Sequence, residues 1–123
     1  MKKTFLLIAS LVVLAACGGG GGDEKKPKVV DITENPDYKK GVEIVSNSDC
    51  FTCHKIDEKN IGPAWRDVAN KYADSANAVT YLAAKIIAGG AGVWGQVPMA
   101  AHPTFTQEQA ETVAKYVLLL KNK

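Results

Sequence analysis

Three stretches of the chain repeat apolar residues with the 3.6-residue period of an α-helix, and polar residues fill most other positions. The longest repeat lies near the C-terminus. The three apolar faces are Tyr38, Gly41, Val42 and Val45; Val79, Leu82, Ala83 and Ile86; and Ala110, Val113, Ala114, Val117 and Leu118. Each face predicts a helix that packs against a core.

Residues typical of helix starts precede the first and last of these stretches. Asn35 can act as an N-cap, and it is followed by Pro36, a residue favoured at the first helical position. Thr106 and Gln109 have the spacing of a capping box, in which each residue bonds to the backbone of the other. These signals predict helix starts at residues 36 and 107.

The middle of the chain predicts shorter helices joined by loops. One is expected over residues 65–72, after Gly62 and Pro63. The next is expected to be capped by Asp74 or Ser75 and to stop at Gly89. No segment alternates apolar and polar residues for long enough to predict a strand, so residues 89–103 are expected to form a long loop. The predicted fold class is all-α, with about four short helices.

The first 17 residues have the pattern of an export signal. A basic start, Lys2-Lys3, leads into an almost unbroken apolar run over residues 5–16, which is shorter than the ~20 residues that a membrane-spanning helix needs. Leu14-Ala15-Ala16-Cys17 resembles the lipobox of bacterial lipoproteins. This resemblance implies that residues 1–16 are a signal peptide and that Cys17 is acylated. The alternative is a plain secretory signal that leaves Cys17 as a free thiol.

A composition change separates a linker from the domain. Residues 17–35 contain five consecutive glycines, residues 18–22, followed by charged residues. This predicts a lipid-anchored flexible linker, of which residues 29–32 could lie against the domain as an extended strip. Residues 36–123 then form one domain. A domain this small often gains stability from a cofactor or metal.

The charge balance excludes some function classes. The 123 residues carry 15 Lys and Arg against 13 Asp and Glu, a formal net charge of +2. Loss of residues 1–16 would remove two lysines and leave the mature chain neutral. This argues against nucleic-acid binding, which normally needs strong positive charge. The odd number of cysteines, three, also excludes a scaffold held only by disulfides within the chain.

Cys50-Phe51-Thr52-Cys53-His54 is the C-x-x-C-H pattern of covalent c-type haem attachment. In this chemistry two thiols add to the two vinyl groups of the porphyrin, and the histidine binds the iron. We therefore predict one covalent haem c per chain, held by Cys50 and Cys53, with His54 as the proximal ligand. A zinc site would need four protein ligands, and a thioredoxin-like pair would need a βαβ unit. A disulfide is the remaining alternative.

Met99 is the candidate for the sixth iron ligand. It is the only methionine besides Met1, which is lost with the signal peptide. It follows Pro98 in a glycine-rich loop, 45 residues after His54. Methionines that only fill a core normally lie on the apolar face of a helix and not in such a loop. His102 is the competing candidate. A His/Met pair would leave the iron without an open site. It would also raise the reduction potential of the iron relative to ligation by two histidines.

Together these motifs resemble the short class I bacterial cytochromes c over nearly all of residues 36–123. The segments that carry the resemblance are Cys50-Phe51-Thr52-Cys53-His54, Ile61-Gly62-Pro63-Ala64, Val68-Ala69-Asn70-Lys71-Tyr72, Ile86-Ile87-Ala88-Gly89-Gly90 and Gly92-Val93-Trp94-Gly95-Gln96-Val97-Pro98-Met99. The resemblance implies the class I cytochrome c fold around one haem. One departure is Ala100-Ala101, where the family often carries prolines.

The resemblance also implies roles for residues outside the haem motif. The carbonyl of Pro63 is implied to accept a hydrogen bond from His54 Nδ1–H, which would orient the imidazole. Trp94 is implied to lie at the haem edge, with its indole N–H on a propionate; packing is the alternative role. Gly41 on the first helix is implied to meet Tyr116 on the last.

The expected function is one-electron transfer and not catalysis. We expect a monomer anchored by lipid at Cys17, with its domain in the periplasm, and the residue after Cys17 is not aspartate, which favours the outer membrane. The expected partners are this membrane and redox proteins: a reductase, an oxidase or a quinol-oxidising complex. No nucleic acid is expected. The alternatives are a relay domain in a larger reductase or oxidase, and an open-site haem sensor or peroxidase.

Overall fold

Five α-helices, a 3-10 helix and a two-stranded hairpin follow one another in the computed structural model, which describes residues 31–122. In chain order they are the 3-10 helix Ile32–Glu34, α1 Pro36–Ser46, α2 Cys50–Cys53, α3 Trp65–Tyr72, α4 Ala78–Ala88, β1 Gly90–Gly92, β2 Gly95–Met99 and α5 Gln107–Leu119. None of the helices in this part of the chain is long and apolar enough to cross a membrane. The predicted signal peptide, Cys17 and residues 18–30 of the predicted linker lie outside the described residues.

Helix α5 is the centre of the packing, because α1, α3 and α4 all contact it. Its buried side chains are Ala110, Val113, Ala114, Tyr116 and Val117. The predicted capping box is present: Gln109 N–H donates to Thr106 Oγ1 at 3.1 Å, and Thr106 N–H donates to Gln109 Oε1 at 2.9 Å. The sequence prediction of this helix and of its start is confirmed.

Helix α1 crosses α5 at a glycine. It begins as predicted, with Asn35 Oδ1 accepting a hydrogen bond of 2.8 Å from Asp37 N–H and with Pro36 at its first position. A Cβ atom on Gly41 would lie only 2.1 Å from Cβ of Tyr116. The two helices can therefore approach this closely only because residue 41 has no side chain. The 3-10 helix, which is the last part of the predicted linker, contacts α1. Its residue Ile32 packs against the core.

Helix α4 begins later than predicted. It starts at Ala78, after Asn77, whose side chain makes no capping hydrogen bond. Asp74 instead pairs with Lys121 Nζ at 2.6 Å, and Ser75 N–H donates to the carbonyl of Tyr72 at 2.9 Å in a turn. The prediction of a cap at Asp74 or Ser75 is wrong because a distant ion pair and a local turn use these residues.

A small antiparallel hairpin lies in the region predicted to be a loop. Gly90 pairs with Met99, and Gly92 pairs with Gly95. Except at Met99, both strands are exposed along their whole length, so no alternation of buried and exposed positions marks them in the sequence. The all-α class with the class I cytochrome c fold is confirmed. The hairpin and α2, the turn that carries both cysteines, are additions to the four helices expected.

Candidate functional site

A cavity of about 260 Å³ lies between α2, α3, α4, α5 and the hairpin, and its walls are mostly apolar. All six residues that the sequence predicts around the haem line it: Cys50, Cys53, His54, Pro63, Trp94 and Met99. Asp49 and His102 line it as well. The fold therefore brings the thioether of Met99 to the two thiols and the imidazole, which precede it by 45 residues or more.

One turn of helix presents the two cysteines. Helix α2 spans only Cys50–Cys53, and His54 N–H closes it by donating to the carbonyl of Cys50 at 3.0 Å. Both thiols are free, so the disulfide alternative does not hold in this structure. Cys50 Sγ lies 3.1 Å from Ser48 Oγ. His54 follows in extended conformation, which directs the chain away from the turn just after the second thiol.

The imidazole of His54 is held by a backbone carbonyl. Its Nδ1 lies 2.8 Å from the carbonyl oxygen of Pro63, and the side chain is buried, with the residue 9% exposed. Because the carbonyl can only accept, Nδ1 carries the proton and donates it. The other ring nitrogen, Nε2, then has a lone pair for a metal. The hydrogen bond that the resemblance implied is thus present.

Two neighbours limit the orientation of this ring further. A Cβ atom on Gly62 would lie 2.5 Å from His54 Cε1, so only glycine fits against that face. The ring of Trp65 stacks on the imidazole with centroids 5.8 Å apart and planes 19° apart. Neither Trp65 nor Gly62 was predicted to contact the histidine. The signal available in the sequence was the Gly-Pro pair, eight and nine residues after the histidine.

Met99 is carried by the hairpin. It ends β2, is partly buried and packs against the core. Gly89, at the end of α4, has φ of 69°, and a Cβ atom there would lie 2.4 Å from the carbonyl oxygen of Met99. The left-handed conformation and the close approach both require glycine. Gly89 therefore lets the hairpin return close to the end of α4, with Met99 on the cavity wall.

His102 lines the cavity, but its ring contacts protein groups. Its Nε2 lies 3.0 Å from Asp49 Oδ1, and its Nδ1 lies 3.3 Å from the carbonyl oxygen of Ile86. Both ring nitrogens therefore have protein partners, which favours Met99 over His102 as an iron ligand.

The cytochrome c family model matches residues 38–121, which is most of the chain. The chain belongs to the cytochrome c family. It is 42% identical over 79 residues to cytochrome c-552 of Nitrosomonas europaea, covering 64% of this chain and 77% of that protein. It is 44% identical over 81 residues to cytochrome c-551 of Azotobacter vinelandii, covering 66% of this chain and 98% of that protein.

A solved structure agrees with the fold of this cytochrome. The crystal structure of wild-type Nitrosomonas europaea cytochrome c552 superimposes with a TM-score of 0.62 at 41% sequence identity. The match covers 65% of this chain and 99% of the other.

The cofactor of this family is one covalent haem c, and the residues present fit it. Cys50 and Cys53 supply the two thiols, and His54 supplies an imidazole whose Nε2 is not used by the protein. Within residues 31–122 no three His, Cys, Asp or Glu side chains cluster as metal ligands, which does not suit a closed zinc site. The chain therefore carries one haem c.

Aromatic residues form one end of the cavity wall. Trp94 is 40% exposed and meets Tyr72 edge to face, with ring centroids 6.5 Å apart. Lys71 Nζ lies 5.8 Å from the centroids of both rings. Burial raises the pKa of Tyr72 above its ordinary 10.0, and a hydrogen bond with Tyr81 adds to the shift. The phenol of Tyr72 thus stays uncharged at neutral pH. The propionate contact of Trp94 remains a prediction.

Proposed function

We propose that this cytochrome c is a one-electron carrier in which His54 and Met99 would hold the haem iron. The observation that carries the proposal is the cavity, which Cys50, Cys53, His54 and Met99 all line. The haem supplies the one-electron couple of its iron. The rest of the function comes from how the chain binds it, orients it and shields it from water.

Each binding residue has a distinct role. Cys50 and Cys53 form the thioether links, since their thiols are free and project from one helical turn. His54 binds the iron through Nε2 while its Nδ1–H donates to Pro63, which makes the imidazole a stronger ligand. Met99 supplies a thioether, which does not titrate. Two protein ligands leave no position for dioxygen or peroxide.

The small number of polar side chains in residues 89–99 supports a carrier and not an enzyme. Gln96 is the one amide side chain in residues 89–99, where a sensor or peroxidase would need distal hydrogen-bond donors. In the structure Gln96 is exposed and is not part of the cavity wall. Apart from the indole N–H of Trp94, an open-site haem would therefore have no polar side-chain group from residues 89–99 to bind or activate a small molecule.

Exposed apolar side chains around the cavity support contact with redox proteins. Ile61, Val93 and Val97 line the cavity and are more than half exposed. A partner that covers this rim would bury apolar surface and exclude water between the two redox centres. The partners are redox proteins, and we propose that they dock at this rim.

Absorption spectra of the matured protein test the ligand assignment. Wild-type ferric protein should show the weak near-infrared band of thioether-ligated haem, and Met99→Ala should abolish it and lower the reduction potential. Val97→Ala is the control, because this neighbour is exposed and has no ligand atom. A wild-type protein without the band, or a Met99→Ala protein that keeps it, would contradict the assignment.

We also propose that Cys17 is acylated and holds the domain at a membrane, on the periplasmic side. The support is the lipobox-like Leu14-Ala15-Ala16-Cys17 after a short apolar run. Mass spectrometry of the purified protein should find a lipid-modified Cys17 at the mature N-terminus, and Cys17→Ser should release a spectrally normal cytochrome from membranes. Unmodified Cys17 in a protein that fractionates as soluble would refute this part alone.

A further inference from the structure

His102 joins three parts of the site through one side chain. It follows Met99 by three residues, and its ring reaches Asp49 Oδ1 at 3.0 Å and the carbonyl oxygen of Ile86 at 3.3 Å. Its backbone N–H also donates to the carbonyl of Ile86, at 3.1 Å. We call residues 90–102, which comprise the hairpin and the turn to His102, the Met99 arm. This arm is therefore attached both to the end of α4 and to the start of α2.

Both partners of the ring are hydrogen-bond acceptors. A carboxylate and a carbonyl can each be satisfied only by a ring nitrogen that carries a proton. Besides Asp49, the Asp, Glu, Lys or Arg side chain that lines the cavity is that of Lys85, on α4. The ring is mostly buried, with 19% of the side chain exposed, whereas 72% of Asp49 is exposed.

We propose that Asp49 and His102 form a positioning pair that holds the Met99 arm closed over the haem. Asp49 directly precedes Cys50, the first attachment residue, and occupies the N-cap position of the helix that carries it, with its side chain free to reach His102. The contact therefore ties the wall that binds the porphyrin to the arm that carries the distal ligand. This inference rests on the proposed ligation by Met99.

The pair stabilises the closed arm by a modest amount. When the Met99–iron bond breaks and the arm moves away, His102 leaves Asp49, so their attraction adds to the cost of opening. A polar pair with one exposed partner contributes little in water. We expect its loss to favour opening by roughly two- to five-fold.

Cyanide titration of the ferric holoprotein measures this opening, because cyanide binds the iron only where Met99 has left it. Asp49→Asn and His102→Gln should each raise cyanide affinity by roughly two- to five-fold. The double variant should be no more open than the stronger single variant, since both changes remove one interaction. Asp49→Glu keeps the carboxylate and should restore most of the wild-type affinity.

A matched control separates positioning from general destabilisation. Asp74 forms an exposed ion pair with Lys121, but it is not part of the cavity wall. Asp74→Asn should leave cyanide affinity and the near-infrared band unchanged. Urea unfolding followed by circular dichroism verifies that each variant is folded. Because Asp49 is largely exposed, Asp49→Asn keeps the test available if His102→Gln does not fold.

The outcomes distinguish this inference from the proposed function. Wild-type protein with the near-infrared band, together with Asp49→Asn and His102→Gln variants of unchanged cyanide affinity, overturns the positioning pair and leaves Met99 ligation intact. Fully additive effects of the two changes also overturn it. A wild-type protein that lacks the band refutes ligation by Met99, and the positioning pair fails with it.

Discussion

Gly62→Ala is the most direct test of how the chain orients its proximal imidazole. The added methyl carbon would lie 2.5 Å from Cε1, 2.8 Å from Nδ1 and 3.0 Å from Nε2 of His54. Carbon atoms in ordinary contact are about 3.5–4.0 Å apart, so methyl and ring must separate by about 1 Å. Either the backbone at residue 62 or the ring has to move.

The backbone at Gly62 is restrained on both sides. Its N–H donates to the carbonyl of Cys53 at 2.8 Å, and its own carbonyl accepts from Asn60 N–H at 3.0 Å. The ring must therefore move, and about 1 Å of movement would take its 2.8 Å bond to Pro63 beyond hydrogen-bonding distance. Overpacking costs about 1–3 kcal/mol and the lost bond about 0.5–1.5 kcal/mol. We expect Gly62→Ala to lower the free energy of unfolding by about 2–4 kcal/mol.

The reduction potential adds a functional readout. Without the hydrogen bond to Pro63 the imidazole donates less electron density to the iron and stabilises ferric iron less. The reduction potential should therefore rise. Urea unfolding and potentiometric titration of the matured protein measure both effects. Gly41→Ala is the control, because its methyl would lie 2.1 Å from Tyr116 Cβ at the α1–α5 crossing. It should lower stability without changing the potential. The reasoning fails if Gly62→Ala matches wild type, or if Gly41→Ala shifts the potential equally.

Three further predictions concern the core and the caps. Cys50→Ala combined with Cys53→Ala should lose most helical circular dichroism, because a cavity of about 260 Å³ replaces the haem core; native-like ellipticity would contradict this. Burial, and to a lesser extent the charge of Tyr38, raises the pKa of Tyr116 from 10.0 to about 12. The unfolded chain therefore loses this proton first, so stability in urea should fall between pH 10 and 12; in Tyr116→Phe the fall should be smaller, with the raised pKa of Tyr72 still contributing. Thr106→Ala should cost about 0.5–2 kcal/mol of unfolding free energy by removing the cap of α5, and an unchanged urea midpoint would refute it.

The buried hydroxyl of Tyr116 gives that variant a second readout. Tyr116 is fully buried, and its Oη has no hydrogen-bond partner within residues 31–122. A buried polar atom without a partner costs stability. Tyr116→Phe should therefore be about 1 kcal/mol more stable than wild type at neutral pH, measured by urea unfolding. Lower stability would show that the hydroxyl is satisfied.

Features that depend on near neighbours were predictable from the sequence. The apolar period of α5 and its Thr106–Gln109 box required only residues within one or two turns of each other. The same holds for Asn35 and Pro36 at the start of α1. The prediction failed where a distant partner intervened, as at Asp74, which pairs with Lys121. It also failed at the hairpin, because strands exposed on both faces have no hydrophobic period to detect.

The sequence by itself determined the chemistry of this protein: two thiols and an imidazole within five residues, and one thioether besides that of Met1. A helical turn places the two thiols on one side whatever the rest of the chain does. Only the tertiary structure decided that Met99 reaches the same cavity as His54 and that His102 meets Asp49, 53 residues earlier. Spacing along a chain sets no distance between groups so far apart. Their distance follows from helix packing and from glycines that permit close approach, such as Gly41 against Tyr116 and Gly89 against Met99.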